Sequence, residues 1–282
     1  MLKLALIGTP IKQSLSPLIH QVTMKALGIL GTYELLETQP EDLVDAIKYL
    51  KANEYAGFNV TIPLKIPVTL FLEEVDDIAN LAGAVNTVKI ADDKFLYGYN
   101  TDVFGFKMGF SDAQKRSLIG KKATILGTGG VSRAVVIALN ELGVKQIEFY
   151  SGHIDKAREL INFFKEKFPN ISFEIKNYSS KMDLSNSKCL INTTPLGTYG
   201  KYCGVSPIDD TTIQTLTEDA IVYDLVYNPR QTEFLKQASK AGLSTISGID
   251  MLIYQGLQAF SIWTDNTVPM EEIKKLVLAE ID

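Results

Sequence analysis

The stretch KATILGTGGVSRA at 122–134 constrains the chain more than any other. A continuous apolar segment, Ala123 to Leu126, runs into Gly127-Thr128-Gly129-Gly130 and then into Val131 to Leu142, a helix expected to be apolar almost all round. An apolar strand without polar alternation suits a parallel sheet covered on both faces. Strand, glycine turn and helix in that order form a dinucleotide site. Gly127 permits the tight turn, and Gly129 lets the backbone approach a pyrophosphate. The helix start aims its N–H groups and positive dipole at that pyrophosphate. The third fingerprint position holds Ser132, small but not glycine. The plainer reading, a glycine turn made only for close packing, is weighed down by the right element on each side.

Downstream the alternation continues. Strands are expected at 147–150, 171–176, 188–193, 221–226 and 244–247, with helices at 154–167, 231–241 and 249–264. Alternating strand and helix builds parallel βαβ units and a doubly wound sheet. Upstream the pattern is mixed. Strands are expected at 2–7, 33–36 and 57–61, and helices at 16–28 and 40–52. Short helical pieces follow at about 66–72 and 76–82, then a hairpin of 84–90 with 95–99 across ADDK, then a helix over 101–110. The polar run SDAQKRSLIGKK breaks the pattern and marks a change of domain. Its cluster of Lys115, Arg116, Lys121 and Lys122 reads as a solvated loop rather than a nucleic-acid patch. A last helix is expected at 270–281. The fold class is α/β: an N-terminal mixed α/β domain plus a doubly wound, Rossmann-like parallel-sheet cofactor domain.

With 282 residues the chain is long enough for two domains. The net charge of −5 is spread among interspersed acids and bases, so no nucleic-acid partner is expected. No run approaches a membrane span, and the start reads as a strand rather than a signal peptide. Cys189, Cys203, His20 and His153 have no metal-type spacing, so no metal is expected, and a reducing cytoplasm is the default.

The second strand of the cofactor domain ends EFYSGH. An NAD site usually has an acid there and an NADP site a basic group. Ser151 and Gly152 are neither, while His153, Lys156 and Arg158 follow, so these residues leave the cofactor open. The upstream domain carries polar residues at strand ends. NVTIPLK at 59–65 closes an apolar strand with Lys65 behind Pro63. SLS at 14–16 sets two hydroxyls before a helix, as an anion site or merely as a Ser16 cap. GAVNT places Asn86 in an apolar strand, where its amide must find partners. GYNTD places Asn100, Thr101 and Asp102 where a strand becomes a helix, as caps or as functional groups. Each has an ordinary structural explanation singly; together they suggest one polar pocket.

SLSP, NVTIPLK, GAVNT, NTD, GTGGVSRA, NTTPLG, YDLVYNPRQTEFL and GIDMLIYQG stand in the order and spacing of the shikimate dehydrogenases, and the chain resembles that family from end to end. The resemblance implies an oxidoreductase reducing 3-dehydroshikimate to shikimate with a nicotinamide cofactor, in aromatic amino-acid biosynthesis. It implies a substrate domain of residues 1–103 plus 252–282, wrapped around a dinucleotide-binding domain of 104–251, and closure over ligands. It implies Lys65 and Asp102 as the catalytic pair that delivers a proton to the developing alkoxide. Substrate contacts carry over to Ser14 and Ser16 for the carboxylate, to Thr61, Asn86, Asp102 and Gln255 for the ring hydroxyls, and to Tyr227. Cofactor contacts carry over to Gly127, Gly129, Gly130, Val131, Ser132, Thr193, Pro195, Leu225 and Gly248. The chain departs from the family at Ser151, Gly152 and His153, where NADP-using members have Asn-Arg-Thr; Lys156 still matches a family lysine. NADP is the expected cofactor because no acid replaces the arginine, with NAD the alternative. The family includes monomers and homodimers.

Two other readings compete. One is an NAD-preferring quinate/shikimate dehydrogenase; the other is a non-catalytic dinucleotide-binding sensor, which intact Lys65 and Asp102 argue against. A nucleophilic hydrolase has little support, because neither histidine sits in a triad pattern.

Overall fold

The computed structural model describes residues 1–178 and 182–281. The chain divides into two units, Met1–Gly105 with Leu252–Asp282, and Phe106–Met251.

The first unit is built on a mixed sheet. In chain order it contains β1 (Leu2–Gly8), α1 (Ser16–Ala26), β2 (Gly31–Glu37), α2 (Leu43–Ala52), β3 (Gly57–Val60), β4 (Glu74–Val75), α3 (Asp77–Ala82), β5 (Thr87–Ile90) and β6 (Leu96–Tyr99), then the first residues of α4 (Asp102–Met108), which continues into the second unit. The strand order is β2-β1-β3-β5-β6-β4. The first three strands are parallel, because helices connect them; β5 runs antiparallel to both β3 and β6, the latter through the expected hairpin. Ala5, Ile7, Phe58, Val60 and Val88 meet Leu43, Ile47 and Leu50 of α2 in one buried core. Much later in the sequence the chain returns as α10 (Gly248–Thr264) and α11 (Met270–Ile281). The Trp263 indole of α10 donates to the Val88 carbonyl at 2.8 Å, and a side chain at Gly57 would lie 2.3 Å from that indole. Glycine is therefore required where helix meets strand.

The second unit contains α5 (Asp112–Leu118), β7 (Lys122–Leu126), α6 (Ser132–Glu141), β8 (Gln146–Ser151), α7 (Ile154–Lys165), β9 (Ser172–Asn177), β10 (Ser187–Asn192), α8 (Asp210–Ile213), β11 (Ile221–Asp224), α9 (Glu233–Lys240) and β12 (Ser244–Ser247). Its six strands are all parallel in the order β12-β11-β10-β7-β8-β9. This is the doubly wound arrangement, with order reversing beside β7, the strand that carries the glycine turn.

Three sequence expectations need correction. The run at 111–122 is not a loop: Ser111 and Gln114 close a reciprocal capping box that starts α5, so Lys115 and Arg116 ride a helix. Lys122 is not solvated either; it opens β7 and pairs at 2.9 Å with fully buried Glu148, which Lys176 holds at 2.5 Å from the other side. Ser16 is the first residue of α1 rather than its cap, and the Ser14 hydroxyl accepts its N–H at 3.2 Å.

Candidate active site

In the first unit, β3 ends at Val60 and the chain turns through the cis Ile62–Pro63 bond. The turn brings Lys65 back so that its Nζ lies 2.6 Å from Asp102 Oδ2, with the two side chains 19% and 9% exposed. Asp102 is the first residue of α4, and its N–H is accepted by Asn100 Oδ1 at 3.1 Å. Asp102 thus stands in the first turn of a helix, as expected, while Asn100, two residues before the helix, accepts the helix's first N–H. Asp102 keeps its second oxygen for Asn86, whose Nδ2 donates to Oδ1 at 2.9 Å. The same amide reaches Thr101 Oγ1 at 3.0 Å and Gln255 Oε1 at 3.2 Å. Gln255, on α10, is held in turn by its own Nε2, which donates to the Leu252 carbonyl at 2.8 Å.

Lys65, Asn86, Asp102 and Gln255 thus form one cluster. Ser14 and Ser16 form a second, with their hydroxyls 3.1 Å apart at the start of α1. Ser16 lies within hydrogen-bonding reach of the Tyr33 phenol, which burial holds well above the usual tyrosine range. Thr61 is half-buried four residues before Lys65, and a side chain at Gly8 would strike its methyl at 2.5 Å. Tyr227 belongs to the second unit, where burial raises its phenol. The structure adds four buried polar residues to this region: Tyr33, Asn59, Thr87 and Thr101. Asn59 and Thr87 are buried polar residues on largely buried strands, which is a legible signal; Thr101, between a predicted cap and a predicted catalytic acid, read as a cap itself.

In the second unit the turn after β7 has the geometry a phosphate cradle needs. Gly127 has φ +96°, and a Cβ there would lie 2.7 Å from the Thr194 methyl. Gly130 has open space where a side chain would stand, and a Cβ at Gly129 would come no closer than 3.5 Å to the Thr193 carbonyl oxygen. Ser132 is buried in the first turn of α6, its hydroxyl 3.0 Å from Thr193 Oγ1, which donates to the Leu126 carbonyl at 2.8 Å. Serine at this fingerprint position therefore ties helix to strand through a hydrogen bond, where glycine would allow only close packing. Val131 is the capping residue of α6. A dinucleotide pyrophosphate fits this turn: the glycines leave the backbone bare, and a ten-residue helix begins behind it.

The turn after β8 is equally defined. The Ser151 hydroxyl accepts the His153 N–H at 3.0 Å and lies 3.3 Å from Thr128 Oγ1. Gly152, His153 and Lys156 are exposed, and a Cβ at Gly152 would meet nothing within 4 Å. Asp155, the nearest acid in sequence, pairs with Arg158 at 2.9 Å. Thr193 and Pro195 follow β10, and Leu225 follows β11. Gly248 abuts Leu225 so closely that a Cβ would sit 2.4 Å from its carbonyl oxygen. Behind these loops Asp224 accepts from Asn192 Nδ2, the Val226 N–H and the Thr232 hydroxyl at 2.9, 3.0 and 2.5 Å. Burial nevertheless pushes its carboxyl up to about 6, with those hydrogen bonds pulling the other way.

A parallel doubly wound unit with a glycine cradle, joined in one chain to a mixed unit that buries a lysine–aspartate pair, defines a dinucleotide-binding α/β protein of two units. The chain belongs to the shikimate dehydrogenase family. A family model described as the shikimate dehydrogenase substrate binding domain matches residues 6–88, and one described as the shikimate 5'-dehydrogenase C-terminal domain matches 248–278. A shikimate dehydrogenase (NADP(+)) of Methanococcus maripaludis is 38% identical over 278 residues, covering 99% of this chain and 97% of the relative. A crystal structure of a shikimate dehydrogenase in complex with NADP+ superposes with a TM-score of 0.88 at 35% identity, covering 100% of this chain and 96% of that one. The quinate dehydrogenase of Corynebacterium glutamicum in complex with NAD superposes with a TM-score of 0.89 at 28% identity, covering 99% of each chain.

Proposed function

We propose that this chain is an NADP-dependent shikimate dehydrogenase, interconverting 3-dehydroshikimate and shikimate in aromatic amino-acid biosynthesis. The observation that carries the reading is the Lys65–Asp102 pair at 2.6 Å, set in a polar cluster within a chain of this family. The first unit binds the substrate and the second the cofactor. NADPH, when bound, would supply the hydride that the ketone carbon takes up, leaving NADP⁺. Lys65 acts at the oxygen: its ammonium polarises the carbonyl and gives a proton to the oxygen as negative charge develops there. Asp102 fixes the ammonium through Oδ2, and Asn86 holds the carboxylate through Oδ1. In the oxidising direction the same lysine takes the hydroxyl proton.

Ser14 and Ser16 bind the substrate carboxylate at the positive end of α1. Thr61, Asn86, Asp102 and Gln255 bind the ring hydroxyls, and Tyr227 is the member of the substrate set carried by the second unit. A site made of hydrogen-bonding groups rejects analogues lacking a hydroxyl, because its own polar atoms would then be left unpaired. Gly127, Gly129, Gly130, Val131 and Ser132 hold the pyrophosphate; Thr193, Pro195, Leu225 and Gly248 border the nicotinamide half. Ser151, His153 and Lys156 face the adenosine end. The cofactor is NADP because no carboxylate stands at the β8 turn to accept a ribose hydroxyl: Asp155 is paired with Arg158, and the exposed Lys156 side chain stands beside it. The relatives named for NADP support the same choice. We place the enzyme in the cytoplasm, consistent with an unbonded Cys189 and Cys203. Among the described residues, no helix is long and apolar enough to cross a membrane.

Initial rates of cofactor reduction with shikimate, run with NADP and with NAD and repeated with quinate, test the reading. NADP with shikimate is expected to be preferred. A preference for NAD with quinate would replace it with the catabolic alternative, for which the missing arginine at Gly152 is the favouring observation. Lys65→Ala is expected to lower kcat by roughly 10²–10⁴; an unchanged kcat would remove Lys65 from the chemistry.

A further inference from the structure

An unbroken chain of buried hydrogen bonds runs to Asp102 from the opposite side to Lys65. The Tyr33 phenol donates to Asn59 Oδ1 at 2.7 Å. Asn59 Nδ2 donates to the Asn86 backbone carbonyl and to Thr87 Oγ1, both at 3.1 Å. Thr87 Oγ1 donates to Asn86 Oδ1 at 3.2 Å, and Asn86 Nδ2 donates to Asp102 Oδ1 at 2.9 Å. Thr87 has no exposed surface and Asn59 little, so water cannot stand in for either.

The direction of this chain is fixed by groups that cannot change roles. The Asn86 backbone carbonyl only accepts, so the Asn59 amide must turn its nitrogen toward it and toward Thr87. The Thr101 backbone N–H only donates, and it reaches Asn86 Oδ1 at 2.8 Å, so the nitrogen of Asn86 must face Asp102. Thr87 links the two amides: it accepts from the first and sends its own proton to the oxygen of the second at 3.2 Å, the nearer of two neighbours, with the Thr101 hydroxyl at 3.4 Å. An amide whose oxygen accepts two hydrogen bonds is a better donor at nitrogen, because bonds in a chain polarise one another in a low dielectric.

We propose that Thr87, backed by Asn59 and Tyr33, is a positioning residue for the Lys65–Asp102 pair: its hydroxyl fixes and polarises the Asn86 amide, which holds the Asp102 carboxylate in place. The proposal rests on the reading of Lys65 and Asp102 as the reacting pair. Thr87 touches neither, and Lys65 is the charged side chain in contact with Asp102.

Thr87→Val removes the hydroxyl at nearly constant volume, and Thr87→Ser keeps it. Steady-state kinetics with shikimate and NADP from pH 6 to 10 compare both with wild type and with Lys65→Ala. For Thr87→Val, kcat is expected to fall on the order of tenfold, with the KM for NADP unchanged. The acid limb of the kcat profile, where the Lys65–Asp102 pair must accept the hydroxyl proton, should move to higher pH, because a carboxylate with a weaker donor holds the ammonium more tightly. Thr87→Ser should recover most of both. A merely structural role would lower the amount of active enzyme without moving the pH profile. A wild-type profile and kcat in Thr87→Val would overturn the proposal while leaving the catalytic pair intact, provided Lys65→Ala is inactive. An active Lys65→Ala would overturn both. If Thr87→Val does not fold, Tyr33→Phe interrupts the same chain farther back, and the same shift, smaller in size, is expected; its absence would overturn the proposal equally.

Discussion

His20 is fully buried in the first unit, with neither ring nitrogen in a hydrogen bond of ordinary geometry. Its imidazole stacks on Tyr33 at 4.3 Å and packs near Phe260 and Trp263 at 6.1 and 5.3 Å. Burial lowers it from 6.5 to about 3, the nearby Asn59 amide opposing only weakly. A histidine lowered on folding costs nothing above pH 6.5, where both states are neutral. Below that pH the unfolded chain takes up a proton that the folded chain refuses, and stability falls by about 1.36 kcal/mol per pH unit. By pH 5 the loss is about 2 kcal/mol. Return of about 2 kcal/mol from the aromatic faces to a protonated ring would hardly alter that figure, because the folded state would still be mostly neutral at pH 5. His20→Phe removes the titration. Overpacking costs it roughly 1–3 kcal/mol at every pH, a vertical offset that leaves the slope untouched. The assay is urea unfolding at pH 7.5, 6 and 5, followed by fluorescence of Trp263, the chain's single tryptophan, which lies in the same unit as His20. The stability of His20→Phe minus that of wild type should rise by about 2 kcal/mol between pH 7.5 and 5. Other acid-titrating groups cancel in that difference. A difference that stays flat would mean that His20 protonates in the folded protein, and that the absence of a partner has been misjudged.

Other perturbations reach the second unit. Gly127→Ala must adopt φ +96° and push its methyl into Thr194, so NADP affinity should fall at least tenfold in a direct binding titration; unchanged affinity would remove the turn from the cofactor site. Gly152→Arg meets no steric obstacle and restores the basic group of the NADP-using pattern, so the ratio of kcat/KM for NADP over NAD should rise about tenfold, and a fall would refute the placement of the adenosine end. Glu148→Gln leaves Lys122 and Lys176 facing a buried site without their countercharge, and should destabilise the protein by roughly 3–5 kcal/mol in urea unfolding, whereas a loss below 1 would show that the lysines escape to water.

What could be read from the sequence and what could not divide along a physical line. The parallel sheet was legible because burial on both faces writes itself as apolar runs, as in Cys189–Ile191 and Ile221–Tyr223. The glycine turn was legible because only glycine tolerates the φ of Gly127. Elements held by a few local bonds were less so. The helix at Asp112–Leu118 has one apolar residue buried, Leu118, and depends on the Ser111–Gln114 capping box, so its signal lay in four residues that read as a polar linker. The two-residue strand Glu74–Val75 is exposed and has no apolar pattern at all. The Lys65–Asp102 pair was proposed from family motifs, and its 2.6 Å geometry comes from a contact across 37 residues that no local pattern encodes. Tyr33, Asn59 and Thr87 show the same limit more sharply. Each sits on a different strand, and each is unremarkable until β1 and β3 pair in parallel and β5 joins β3 in antiparallel register, setting Asn59 opposite Thr87. A buried polar residue on a strand therefore announces that it needs a partner, but only strand order says which one. For Tyr33, Asn59 and Thr87 the order leads back to Asp102, so three residues that the sequence left unexplained are tied by the structure to the site.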